Sequence, residues 1–204
     1  MRNWKERVSQ AVGTLDLVGQ QIDDDDCKEI GPELAENSTI TELDLGVNQI
    51  GDSGMVHLSG ALKDGNNTTI RRVLGVDLPK EAAAVLERNR VAYARRAVRE
   101  CKEAALDLSN EGLGDAEAEA IAEELGKNST IIELNLRGNE ITGEGMVPLS
   151  EALKANKTIK TLNLRGNKIG DQGLLPLCDA LKENITITCL NLRFNRIGDS
   201  GHDR

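Results

Sequence analysis

Aromatic side chains are almost missing from this 204-residue chain: Trp4, Tyr93 and Phe194 are the whole supply. Proteins that grip single-stranded nucleic acid stack bases on aromatics inside a basic groove. A chain with a formal charge of -9 and three such rings is poorly suited to that grip, and no nucleic-acid partner is expected. The core must then be aliphatic, and a hydrophobic content of 39% is enough to build one. Histidine is as scarce, with His57 and His202 alone, and no Ser/His/Asp arrangement can be assembled from their spacing. Cys27, Cys101, Cys178 and Cys189 are scattered without CxxC spacing, so they read as reduced thiols in a cytoplasmic or nuclear protein. No apolar run follows Met1, and MRNWKERVSQAVG is too polar for a signal peptide. No stretch approaches the ~18 apolar residues of a membrane span, so no membrane partner is expected.

What the chain has is periodicity. LDLVGQQI begins at Leu15, LDLGVNQI at Leu43, LDLSNEGL at Leu106, LNLRGNEI at Leu134, LNLRGNKI at Leu162 and LNLRFNRI at Leu190. Leu15 and Leu43 are 28 residues apart, as are successive members of the series Leu106, Leu134, Leu162 and Leu190. Leu134 and Leu136 alternate with Glu133, Asn135 and Arg137, the pattern of a short strand with one buried face. Met146, Leu149 and Leu153 then follow at helical spacing, closed by a polar turn at Lys154–Lys157. One strand and one helix cannot bury their apolar faces alone, so neighbouring units must stack. The predicted fold is an α/β solenoid, with a parallel sheet on the concave side and helices on the convex side. Asn48, Asn139, Asn167 and Asn195 recur just after the strands, where an amide offers donors and an acceptor to the turning backbone. The sequons at Asn37, Asn67, Asn128, Asn156 and Asn184 share the repeat spacing and read as turn residues, not glycan acceptors.

Over Leu15–Ile70 and Leu106–Gly201 this pattern resembles leucine-rich repeats of the ribonuclease-inhibitor-like class. Similar repeats occur in tropomodulin, in the Ran GTPase-activating protein and in NOD-like receptors. The resemblance implies a right-handed horseshoe that binds other proteins without catalysis. Two alternatives come with it: a GTPase-regulatory protein of the Ran GTPase-activating type, and an actin-filament-end module like that of tropomodulin. No residue here matches the Ran regulator's functional positions, and no actin-binding helices flank the repeats.

Shifted by 91 residues, Leu15–Lys63 falls on Leu106–Lys154 with about half the positions identical. The chain therefore reads as a duplication, with a first array over residues 1–78, a linking helix over 79–105 and a second array over 106–204. Gln20 and Glu111 stand in for the ladder asparagine in the first unit of each copy, as capping units would allow. At the joint, Gly75 replaces a strand leucine and Asp64–Asn67 adds two residues. Pro79 is placed as the first helical residue, and a break is expected near Glu87–Arg90. Pro32 should make its helix start late or kink. The chain stops at Arg204 before a closing helix, so Leu190 and Leu192 should be partly bare, and either self-association through this uncapped repeat or a longer parent protein is expected.

Enzyme chemistry finds little footing. His57 falls where Pro148 stands in the other copy, which suits a helix surface. Gly126-Lys127 lacks the earlier glycine of a phosphate loop. Asp23–Asp26 lacks the alternating ligands of a calcium loop and is read as helix capping. The basic stretch Arg88–Lys102 is read as a solvated face of the linking helix. No catalytic residue, metal or cofactor is expected. The outward strand positions of the second array are free of core duty: Glu133, Asn135, Arg137, Thr161, Asn163, Arg165, Asn191 and Arg193. They are the candidate protein-binding residues, with the three arginines in one column.

Overall fold

The computed structural model describes residues 3–63 and 67–198. His202, the end of the repeat at Gly201 and most of the Asp64–Asn67 addition lie outside the described residues. The chain divides into two compact units, Met1–Arg90 and Val91–Arg204.

In the first unit, strands β1 (Gly13–Asp16), β2 (Ile40–Asp44) and β3 (Arg72–Leu74) form one parallel sheet in that order. Helices α1 (Trp4–Ser9), α2 (Asp24–Glu36) and α3 (Asp52–Ala61) accompany them. In the second, β4 (Ala105–Asp107), β5 (Glu133–Asn135), β6 (Thr161–Asn163) and β7 (Cys189–Asn191) form another, with α5 (Asp115–Leu125), α6 (Gly143–Ala155) and α7 (Gly170–Glu183). Each unit is an α/β solenoid. Register follows the repeat: Leu106, Leu134, Leu162 and Leu190 pair in series. Leu134 and Leu136 are buried, as are Met146, Leu149 and Leu153 from the helix behind them. Leu190 and Leu192 are half-buried.

The helix α4 (Lys80–Glu100) runs without interruption through Glu87–Arg90, contrary to the expected break. Ala82, Val85 and Leu86 join the core of the first unit, while Ala94 and Val98 join that of the second. Asn89 helps hold the middle, donating to the carbonyls of Asn67 (3.3 Å) and Ile70 (2.8 Å). Pro79 precedes the helix and caps it, its carbonyl accepting from the Ala83 N–H. The second half of α4 repeats the work of α1. The Val8 carbonyl accepts from the Asn37 amide at 2.9 Å, and the Val98 carbonyl from Asn128 at 3.0 Å. The Ala11 carbonyl accepts from the Thr39 hydroxyl, and Cys101 from Thr130. One helix thus serves as last element of one array and first of the next.

Pro32 does not delay α2, which begins at Asp24. Asp23 fixes that start by accepting from the N–H groups of Asp25 and Asp26, both at 3.0 Å, while Asp26 accepts from Asp23. Against a secured end, an exposed proline forfeits one hydrogen bond and the helix continues. Pro148 and Pro176 lie inside α6 and α7 in the same way.

The sequon asparagines form a second ladder. Asn156 accepts from the N–H groups of Thr158 and Ile159 and donates to the carbonyls of Leu125 and Asn128, 3.0 and 3.1 Å away. Asn67 and Asn184 repeat the arrangement in their own units. A glycan would need the same nitrogen that these side chains use to hold backbone.

Cys27 is fully buried in α2, and burial pushes its thiol up to about 12, with Asp24, Asp26 and Asp23 adding to the effect. Iodoacetamide at pH 8 is therefore expected to label the exposed Cys178 and Cys189 and to spare Cys27, as read by mass spectrometry of the native protein. Between the ordinary value of 9.0 and about 12, the unfolded chain gives up a proton that the folded chain keeps. This thiol's contribution to stability is thus present below pH 9 and falls as pH rises through that window.

Candidate functional site

Among the described residues no group of His, Cys, Asp or Glu could hold a metal ion. His57 lies half-exposed on α3. The four aspartates of Asp23–Asp26 are committed to the protein itself: Asp23 caps α2, and Asp24 accepts from the Gly51 N–H at 2.7 Å. Asp26 accepts from the Trp4 indole at 2.7 Å, and Asp25 pairs with Lys28, whose ammonium holds its carboxyl below the usual range. In the basic stretch Arg88–Lys102, Arg95 bridges to Glu123 at 2.7 Å and Arg90 donates to the Arg71 carbonyl, while Arg96, Arg99 and Lys102 are exposed.

The sheet of the second unit does bring the selected residues together. Glu133 pairs with Thr161, and Asn135 with Asn163 and then Asn191. One step further, the Gly138 N–H donates to the Arg165 carbonyl at 2.8 Å and Gly166 to the Arg193 carbonyl at 2.9 Å. The ladder thereby sets Arg137, Arg165 and Arg193 side by side, roughly 10 Å from first to last at the usual strand spacing. Glu133, Arg137 and Arg193 are exposed; Asn135, Thr161, Asn163, Arg165 and Asn191 are half-buried. Arg137 and Arg193 make no ion pair with any described residue.

The asparagines of this face have a backbone duty. Asn135, Asn163 and Asn191 each accept from the N–H of the arginine two residues on, at 3.2 Å. Asn135 also donates to the Asp107 carboxylate at 3.0 Å. The Ser109 hydroxyl and N–H, with help from Asn135, hold that carboxyl below the usual range. The asparagines set the direction of the chain at each strand end, and the arginines carry the free chemistry.

The face extends further than sequence reasoning placed it. Phe194 follows Arg193 and is 72% exposed, with its ring 5.0 Å from the Arg165 guanidinium carbon. It occupies the left-handed position (φ 60°) that Gly138 and Gly166 fill in the units before. A bulky residue there costs roughly 1–2 kcal/mol over glycine. Beside it lies a groove of about 660 Å3 lined by Asn167, Lys168, Leu192, Phe194 and Arg196 among others. Arg196 is exposed and Lys168 bridges to Glu140 at 3.4 Å. The signal was in the sequence: LNLRFNRI departs from LNLRGNKI at the glycine and at the lysine.

The equivalent face of the first unit is chemically spent. Asp16 accepts from the Val18 N–H and Asp44 from Gly46, both at 3.0 Å, and Glu42 pairs with Arg72 at 3.1 Å. Where the second unit has arginines, this one has Val18 and Gly46.

The family described as Leucine Rich repeat matches residues 36–59, 127–150, 155–178 and 183–201. No curated protein matches the chain. Among solved structures it is similar to leiomodin-1 actin-binding site 2, at 20% identity and a TM-score of 0.38, over 94% of this chain and 78% of that one. It is also similar to the tropomodulin C-terminal domain of Caenorhabditis elegans, at 15% identity and a TM-score of 0.39, over 84% of this chain and 83% of that one. No helix among the described residues is long and apolar enough to cross a membrane.

Proposed function

This chain is a leucine-rich-repeat protein, and from that premise we propose that it is a non-enzymatic scaffold that binds a protein partner on the sheet face of its second unit. The observation that carries the reading is the column Arg137, Arg165 and Arg193, three cations held in line by strand pairing, none of them with an acidic partner among the described residues. Like charges at this spacing repel one another unless a ligand relieves them. Guanidinium groups grip carboxylates at two points, so an acidic surface fits. The rigid sheet sets the spacing before the partner arrives, which lowers the entropic cost of binding. The GTPase-regulator and actin-end readings rest on likeness of fold alone.

The test changes all three arginines to alanine, confirms the fold by circular dichroism and compares capture of partners from lysate with the wild type. Capture is expected to fall at least about tenfold, and wild-type capture to weaken as salt rises. Equal capture by the two proteins would move the site elsewhere, with the exposed Arg96 and Arg99 of α4 next in line.

A further inference from the structure

Phe194 is placed against ordinary folding economy. Its backbone is in the left-handed region, where the two preceding units use glycine, and its ring is 72% exposed. A hydrophobic core cannot account for it: Trp4, by contrast, is 2% exposed. The same left-handed, exposed placement occurs at Val47 of the first unit, so what sets Phe194 apart is the Arg165 guanidinium against its ring and the cations around it. Aromatic rings are also the side chains that most often anchor protein interfaces. The ring lies over Arg165 and also lines the groove that contains Lys168 and Arg196, so it stands between the arginine column and a second pair of cations.

We propose that Phe194 is the apolar anchor of the binding face, and that the occupant is an acidic protein segment carrying one hydrophobic side chain that packs on its ring. The proposal rests on the function proposed above and specifies the partner's chemistry. Charge complementarity sets the first requirement: Arg137, Arg193 and Arg196 have no ion pair with any described residue, so carboxylates are what they can take. The ring sets the second. A guanidinium stacked on one side of Phe194 keeps it upright, and the part left exposed is covered only if the segment brings an apolar group.

The test is selection from a random twelve-residue phage-displayed peptide library on three immobilised full-length proteins: wild type, Phe194→Gly, and the triple variant Arg137→Ala, Arg165→Ala, Arg193→Ala. Phe194→Gly restores the residue that the backbone favours, so its melting temperature is expected to hold or rise by about 2–4 °C, and a loss of binding cannot be blamed on misfolding. Peptides selected by wild type are expected to be acidic with a fixed hydrophobic position. Replacing that position by alanine should weaken binding at least about tenfold on wild type and leave it unchanged on Phe194→Gly. The triple variant should select no acidic sequences. Acidic peptides without a hydrophobic position, or with one that Phe194→Gly still prefers, would overturn the anchor while leaving the arginine face standing. Neutral or basic peptides, tighter binding of an oligouridine than of any selected peptide, or no enrichment at all would overturn both.

Discussion

Asn139→Ala is expected to destabilise the protein by roughly 3–5 kcal/mol, although it removes no apolar contact. The Asn139 amide accepts from the N–H groups of Glu111 and Leu113, both at 3.1 Å, and donates to the carbonyls of Leu108 and Leu136, both at 2.9 Å. The side chain is 4% exposed, and it serves four backbone groups at once. Each orphaned buried backbone group costs about 1–3 kcal/mol. The control is Asn135→Ala, whose half-buried amide serves the Arg137 N–H and the exposed Asp107 carboxylate. That change should cost about 1 kcal/mol or less, because solvent reaches these groups. Urea titration reads both as shifts in midpoint at constant slope. Equal shifts would mean that the buried ladder adds nothing beyond a surface turn.

Leu136→Ala is expected to cost about 2–5 kcal/mol in the same titration. Leu136 is fully buried and shares its core with Leu108, Leu134, Leu164 and Met146. The neighbouring units are held by strand pairing and by the asparagine ladder, so they cannot close fully over the missing methyl groups. A loss near zero would show that the strand phase is wrong and that Arg137, not Leu136, faces the core.

Those two residues also mark what could be read in advance. Leu136 was legible because alternation within a strand and the 28-residue recurrence give the same answer. Asn139 was legible as a repeated amide after each strand. The outward duty of Asn135 was not: an asparagine two residues before an arginine looks the same whether its amide meets a ligand or its own turn, and backbone direction decides. At the joint, Gly75 stands where a strand leucine recurs in the other units, and Arg72–Leu74 just before it pairs with β2. The glycine is required there, since its φ is 79° and a Cβ would lie 2.3 Å from the Gly46 backbone. The division of labour within α4 could not be seen because a single apolar stripe serves two cores in turn. At Phe194 the replacement of glycine is visible in the sequence, but the left-handed backbone and the Arg165 contact that give it meaning are set by the fold.

The central claim, that the sheet face of the second unit is where a partner binds, is tested most directly by photo-crosslinking. A photoreactive amino acid would be placed either at Thr161, in the middle of that face, or at Val147, exposed on α6. Irradiation in lysate should couple a partner to the protein labelled at position 161 and not to that labelled at 147, with the coupling lost when Arg137, Arg165 and Arg193 are all alanine. Coupling from position 147 alone would contradict the account and place the partner on the helices.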